Sequence, residues 1–236
     1  RRGQELVAQK DFEIAIDRIQ LGLEKKSRVM SEVEKWRVAY HESGHAIVAL
    51  SVDPANPVHR VTIIPRSIGA LGVTLQLPTE ERYLVTREDL YDRICVMFGG
   101  RVAEEIVCGD ISTGAHDDLS RATETARQMV TRLGMSDKLG PMTFGRQQSS
   151  RFLEGMGMEE RTYSEETARA IDAEVRTLLE AQHERAKEIL TEKRDLLERM
   201  TRRLLEIETL DRAEIGVLVG APAEAATQAA AGPTAA

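Results

Sequence analysis

Two histidines four residues apart, with a glutamate directly after the first, are the residues of this sequence best suited to do chemistry. His41, Glu42 and His45 lie in the stretch VAYHESGHAIVAL, residues 38–50. Because a helix places positions i and i+4 on the same face, both imidazoles can point at one metal ion. Glu42 lies about 100° around the helix from His41, so it can reach a water molecule on that ion without binding the ion itself.

The residues around this HExxH pattern favour a metal site over two ordinary core histidines. The apolar run AIVAL after His45 indicates a buried helix. Burial of two unpaired histidines and a glutamate would cost several kcal/mol unless a cation or hydrogen-bonding partners compensated. A chance HExxH has an expectation on the order of 0.01 in a chain of this composition. The stretch therefore predicts a catalytic metal helix.

A tetrahedral catalytic site needs a third protein ligand and one position open for water. A nearby third histidine in HxxGxxH spacing is excluded, because the residues after His45 are AIVALSV. Spacing alone leaves several candidates open, namely Glu104, Glu105, His116, Asp117, Asp118 and the more remote His59. Glu104 and Glu105 could either bind the metal or orient one of its ligands.

Apolar residues at helical spacing predict that most of the elements that position these side chains are helices. The first two helices are expected over residues 11–24 and across the HExxH stretch. A third begins at the Thr86–Asp89 capping pair and continues through GGRVAEEIV, and a fourth extends from Asp117 to Gly134. Two more are expected over 165–186 and 187–207. The last two could pack as an antiparallel hairpin or in an oligomer interface.

Two β-branched runs bounded by proline and glycine, VHRVTIIP and GALGVTLQLP, predict two or three strands. The second run contains Leu71, Gly72 and Val73, and could be an edge to which an extended peptide adds by main-chain pairing. An ordinary structural strand explains it equally well. The predicted fold class is mainly α with a small β-sheet, an HExxH domain with long C-terminal helices.

Composition excludes several classes of function. The 236 residues carry a net charge of −7, with acidic and basic residues mixed, so no continuous basic face for nucleic acid is expected. Cys95 and Cys108 lack the CxxC spacing of a thiolate zinc site or redox pair. No apolar run approaches the roughly 18 to 20 residues that span a bilayer, and the first residues lack the apolar region of a signal peptide.

Six ordered motifs together resemble the protease domain of the FtsH family of membrane-anchored, ATP-dependent zinc proteases. They are YHESGHAIVA, VTIIPR, ALGVT, GGRVAEEI, STGAHDDLSRAT and SEETARAIDAEV. The resemblance implies one Zn²⁺ per chain, held by His41, His45 and Asp118, with Glu42 as the general base. It also implies that Glu104 orients a ligating histidine. Asp117 occupies the position at which the family usually has Asn.

The resemblance, which extends over about residues 10–212, implies a division of the chain. Residues 1–30 would be the end of a preceding ATPase region and a linker, 31–212 the zinc metalloprotease domain, and 213–236 a low-complexity, disordered tail. Family members use ATP, but no GxxxxGK[ST] phosphate loop is present here. The ATPase and the membrane segments are therefore expected to precede residue 1.

The same resemblance implies an endopeptidase that degrades unfolded or tagged cytosolic and membrane proteins. The full-length protein is expected to be a homo-oligomer, a hexamer in the family, on the cytoplasmic side of the cell inner membrane. Membrane association would come only through segments outside this chain, which is itself expected to be soluble.

Two rival hypotheses remain at this stage. One is a helical interaction module, in which the Leu-rich region 165–210 mediates assembly and HExxH is incidental. The other is a different metal hydrolase, in which Glu104 or Glu105 replaces Asp118 as the third ligand.

Overall fold

The computed structural model describes residues 30–65, 70–79, 82–144 and 163–220, and the isolated helical residues Phe12, Ala15, Arg18 and Ile19. Its helices are α1 Glu32–Val52, α2 Arg87–Cys108, α3 His116–Thr131, α4 Glu165–Glu192, α5 Arg194–Ile207 and α6 Arg212–Val219. The strands β1 Val58–Thr62, β2 Val73–Gln76 and β3 Thr209–Asp211 form one antiparallel sheet in the order β2-β1-β3. The predicted fold class, mainly α with a small β-sheet, is confirmed.

Capping side chains define where the two central helices begin. Ser31 accepts a hydrogen bond from the backbone of Glu34, whose carboxylate accepts one from the backbone of Ser31, and α1 starts there. Thr86 and Asp89 form the same reciprocal pair at the start of α2, as the sequence predicts. Each pair satisfies backbone donors that the first turn of a helix leaves without partners.

Glycines allow α1 and α2 to approach each other closely. A Cβ atom on Gly44 of α1 would overlap the carbonyl oxygen of Gly99 in α2. The next residue, Gly100, lies against the imidazole ring of His41, and a Cβ atom there would overlap the ring. The GG pair of GGRVAEEI therefore places α2 directly behind the first histidine of HExxH.

The core lies where α1 packs against α2 and α5, and where α2 packs against α3 and α4. The segment Ala39–Ala49 of α1, which contains HExxH, is buried throughout. Large side chains from every one of these helices fill the core: Ile47, Ile94, Met129, Ile171, Leu190, Leu197 and Leu204. The helix that carries the histidines is thus held on several sides by apolar packing.

Helices α4 and α5 differ from the two helices predicted over 165–186 and 187–207. The first continues to Glu192 instead of ending near residue 186, and Lys193 separates it from α5. The two do not pack along each other as a hairpin, because α4 packs on α2 and α3 whereas α5 packs on α1. The antiparallel-hairpin alternative is therefore wrong.

The chain after α5 is ordered further than predicted. β3 pairs with β1, with Leu210 opposite Val61, and so completes the sheet. Asp211 then caps α6 by accepting hydrogen bonds from two backbone N–H groups, and Ile215 of that helix is buried. A disordered tail from residue 213 is thus wrong for 213–219, because this helix closes the core beside the sheet.

Two predictions concern residues outside the described part of the chain. The helix over 11–24 is represented only by the four isolated residues, and the low-complexity sequence from 221 onward is not described. Among the described helices, none combines the length and the apolar character needed to cross a membrane.

Candidate metal centre and active site

His41, His45 and Asp118 come together from α1 and the first turn of α3. The Nε2 atoms of the two histidines are 3.1 Å apart, and Asp118 Oδ2 lies 3.5 Å from that of His41 and 3.2 Å from that of His45. Metal–ligand bonds of roughly 2.0–2.1 Å in a tetrahedral arrangement separate ligand atoms by about 3.3 Å. Within the described residues, these three side chains form the one group of His, Cys, Asp and Glu residues spaced to hold a metal ion.

Hydrogen bonds determine which nitrogen of each imidazole carries a proton. His45 Nδ1 is 2.7 Å from the carbonyl oxygen of Val96, which can only accept, so this nitrogen is the donor. His41 Nδ1 is 2.8 Å from a carboxylate oxygen of Glu104 and donates to it in the same way. With Nδ1 as the donor on both rings, the two Nε2 atoms face each other and are the atoms available to bind one cation.

The charges around the site also favour a cation. Burial lowers the pKa of His41, but its hydrogen bonds to Asp118 and Glu104 outweigh burial and raise the pKa to about 10. Burial raises the pKa of Asp118, yet hydrogen bonds from His41 and His45 hold it well below its ordinary value. Both shifts have the same cause, the hydrogen bonds and attraction between the carboxylates and the imidazole rings, which favour the charged forms of both. The donor set and its spacing fit a divalent metal ion.

Glu42 lies beside this centre on α1 and is buried, with 7% of its surface exposed. Thr74 of β2 donates a hydrogen bond to Glu42 Oε2 at 2.8 Å, and its hydroxyl is also 3.0 Å from the Glu42 carbonyl oxygen. Burial raises the pKa of Glu42 and outweighs the lowering effect of the two histidines and of the hydrogen bond from Thr74, so the pKa is above its ordinary value. A carboxylate with a raised pKa is a stronger base, which suits proton abstraction near neutral pH.

The start of β2 and the residue before it contact Glu42. Gly72 packs against the Glu42 side chain, so that a Cβ atom there would lie 2.7 Å from Oε1. Leu71 and Val73, predicted with Gly72 to bind substrate, flank it and are half-buried. β2 is at the edge of the sheet, and among the described strands none pairs with its outer side.

Thr74 is a site residue that sequence analysis missed. The available signal was the two-residue period of extended chain, because Gly72, just before β2, and Thr74 within it both contact Glu42. These two positions could be assigned to the site only once the strand was known to lie against α1.

Glu104 contacts the metal centre from behind His41 and is almost completely buried, with 1% exposed. Burial raises its pKa, but hydrogen bonds from His41, Ser112 and Arg37 outweigh burial and lower it to about 2. The carboxylate is therefore ionised and bonded to Nδ1 of His41, on the side of the ring away from the Nε2 cluster. This position suits an orienting residue rather than a ligand.

The other residues considered as third ligands are not brought to the site. Glu105 is 3.0 Å from Arg101 and 3.0 Å from His183, in a separate group between α2 and α4. His116 and Asp117 are exposed. His59 lies on β1, half-buried and outside the cluster.

Comparison with known proteins gives consistent matches. The family model of peptidase family M41 matches residues 28–218. The ATP-dependent zinc metalloprotease FtsH of Methylococcus capsulatus is 55% identical over 191 residues, which are 81% of this chain and 30% of that protein. The proteins of the same name from Syntrophobacter fumaroxidans and Thermotoga maritima are 51% and 47% identical over 91% of this chain, and 33% and 35% of their own lengths are covered. The chain spans about a third of the length of these relatives.

Proposed function

This chain belongs to peptidase family M41, as its six motifs predict, and from that membership we propose that it is the zinc-dependent endopeptidase domain of a larger protease. The observation that carries the proposal is the convergence of His41, His45 and Asp118 at tetrahedral spacing beside the buried Glu42. Three protein ligands with a fourth position left for water are typical of catalytic zinc sites, whereas structural sites usually have four protein ligands.

In the proposed mechanism, Glu42 takes a proton from the attacking water and later passes it to the leaving amine. Zinc, when bound by His41, His45 and Asp118, would acidify that water and polarise the peptide carbonyl. Thr74 holds one oxygen of Glu42, and Gly72 leaves room for the other. These contacts keep the carboxylate beside the metal centre, where the water must lie.

We propose that an extended polypeptide binds along the outer edge of β2, next to Leu71, Gly72 and Val73. Gly72 contacts Glu42, so a peptide paired with this edge passes the general base. Main-chain hydrogen bonds would supply most of the affinity, and such pairing tolerates many side chains. Unfolded or tagged proteins, which present extended segments, are the proposed substrates.

For the full-length protein we propose ATP-dependent proteolysis in a homohexamer anchored at the cytoplasmic side of the cell inner membrane. The names of the relatives, each an ATP-dependent zinc metalloprotease, support the ATP dependence, and the matched region leaves about two thirds of their length for other parts. Residues 1–30 would then connect an ATPase region to the protease domain of residues 31–212.

Metal analysis tests the proposed function directly. The purified chain should contain about one zinc ion per molecule, because its three-ligand site binds a single ion. Cleavage of casein should stop on treatment with EDTA and return when zinc is added back. A zinc content near zero without chelators, together with unchanged stability on chelation, would instead favour the helical interaction module.

Replacing Thr74 by valine should lower kcat while leaving zinc content and KM nearly unchanged. Valine has a similar shape but cannot donate to Glu42, so the base would lose a hydrogen bond to a charged group. Such a bond contributes about 1.5 kcal/mol or more, which corresponds to roughly a tenfold loss of rate. Steady-state kinetics on a fluorogenic peptide measures the change.

Thr79→Val provides the matched control. Its hydroxyl also donates to a backbone carbonyl, that of Ala55, but it lies beyond the end of β2. The control should keep the kcat of the unmodified chain. Equal kcat in Thr74→Val and the control would contradict a role of Thr74 in holding the base.

A further inference from the structure

Each oxygen of the buried Glu104 carboxylate accepts two hydrogen bonds. Oε1 accepts from His41 Nδ1 at 2.8 Å and from the hydroxyl of Ser112 at 3.0 Å. Oε2 accepts from the backbone N–H of Ser112 at 2.9 Å and from Arg37 Nη1 at 3.1 Å. A carboxylate has about four lone-pair sites, so these four bonds leave it a single orientation.

Arg37 contributes the charged member of this set. It lies one turn before His41 on α1, so both residues face Glu104 from the same helix. Glu104 itself belongs to α2, and Ser112 belongs to the segment that leads into α3 and Asp118. The carboxylate thus joins the three parts of the chain that carry or support the metal ligands.

Burial distinguishes this ion pair from the surface pairs of the protein. The side chains of Arg37 and Glu104 are 29% and 2% exposed, whereas those of the neighbouring pair Arg101 and Glu105 are 26% and 27% exposed. A buried carboxylate that loses a charged partner is destabilised far more than a solvated one. Its remaining bonds, including the one to His41, must then adjust.

We propose that Arg37 is a positioning residue of the metal centre, acting through Glu104 on the ring of His41. The inference rests on the proposed function, because it assumes that His41 binds zinc. Together with the backbone N–H of Ser112, Arg37 holds Oε2 and so fixes the plane of the carboxylate. Oε1 then fixes the rotation of the imidazole and directs its Nε2 toward Asp118 and His45. Arg37 also balances the charge of the buried Glu104 carboxylate through their 3.1 Å ion pair.

The test compares Arg37→Met with Arg37→Lys and with the control Arg101→Met. Arg101 matches Arg37 in exposure and pairs with the adjacent glutamate, but that glutamate does not contact a metal ligand. Zinc affinity is measured by competition with a chromophoric chelator, and the geometry of the centre by the visible spectrum of the cobalt-substituted chain. Thermal unfolding of each metal-free variant records any general loss of stability.

Arg37→Met should weaken zinc binding by up to about 10-fold, the lower end of the range for partners that bond a ligating histidine directly, because Arg37 acts one contact further away, through Glu104. Its cobalt spectrum should change, and its KM for a peptide should stay constant when zinc is saturating. Arg37→Lys should recover part of the affinity, since lysine keeps the charge but not the planar donor group. Arg101→Met should retain the zinc affinity and the cobalt spectrum of the unmodified chain.

Two outcomes would overturn the inference. In one, Arg37→Met keeps full zinc affinity and an unchanged cobalt spectrum. In the other, Arg101→Met loses as much zinc affinity as Arg37→Met, so that any loss of charge on α1 or α2 has the same effect. Failure of the proposed function is a separate result, because the unmodified chain would then bind neither zinc nor cobalt at this site.

Discussion

Replacing Asp118 by alanine should remove tight zinc binding from the chain, and peptide hydrolysis with it. The carboxylate supplies the one oxygen among the three clustered ligand atoms, and its loss leaves two histidines to hold the ion. Because removal of a partner that merely orients a ligand costs about 10- to 100-fold, loss of a ligand should cost more than about 100-fold in zinc affinity. Zinc content after dialysis and chelator competition both measure the effect.

Asp117→Ala is the matched control for this experiment. The two aspartates are adjacent in the first turn of α3, so both substitutions remove the same charge from the same helix terminus. Asp117 is exposed and outside the cluster, and its substitution should leave zinc binding unchanged. If Asp118→Ala kept full metal and activity, the assignment of Asp118 would be wrong.

Glu104→Ala tests the remaining alternative, a metal hydrolase that uses this glutamate instead of Asp118 as the third ligand. Glu104 bonds the Nδ1 side of His41, so we expect weaker zinc binding but not the loss predicted for Asp118→Ala. A larger loss in Glu104→Ala than in Asp118→Ala would reverse the two roles.

The local part of the site could be predicted from the sequence because helical spacing alone brings His41 and His45 to one point. The third ligand could not be selected in that way, and only the family resemblance singled out Asp118. The position of Asp118 depends on contacts between distant segments. Glycines bring α2 against α1, and Glu104 then binds Ser112 just before α3. No local pattern carries this information.

The errors in the predicted fold have a similar origin. β3 has three residues, too few for a visible alternation, and it exists because it pairs with β1. The break at Lys193 has neither glycine nor proline, so composition placed the boundary between α4 and α5 only approximately. Ile215 is buried only because α6 follows β3 and returns to the core. Each feature is decided by tertiary packing rather than by local preference.

Replacing Glu42 by glutamine should leave zinc bound and nearly eliminate turnover. Glutamine has almost the same shape, and its carbonyl oxygen can still accept the hydrogen bond from Thr74, so the ligands and the packing against Gly72 should be preserved. An amide cannot take a proton from water, however, and loss of general-base catalysis typically costs about 10²–10⁴ in rate. Zinc content and kcat on casein or a fluorogenic peptide test both halves of this expectation.

Combining Glu42→Gln with Thr74→Val shows whether Thr74 acts through the general base or supports the site in another way. If Thr74 acts only by holding the base, Thr74→Val should slow the otherwise unmodified chain but have little further effect in the Glu42→Gln background. Equal losses in both backgrounds would mean that Thr74 supports the site independently of the base.

Casein cleavage by Glu42→Gln at the rate of the unmodified chain would refute the general-base role. The water would then have to lose its proton to another group, and among the described residues the one carboxylate within the cluster of ligand atoms is the proposed ligand Asp118.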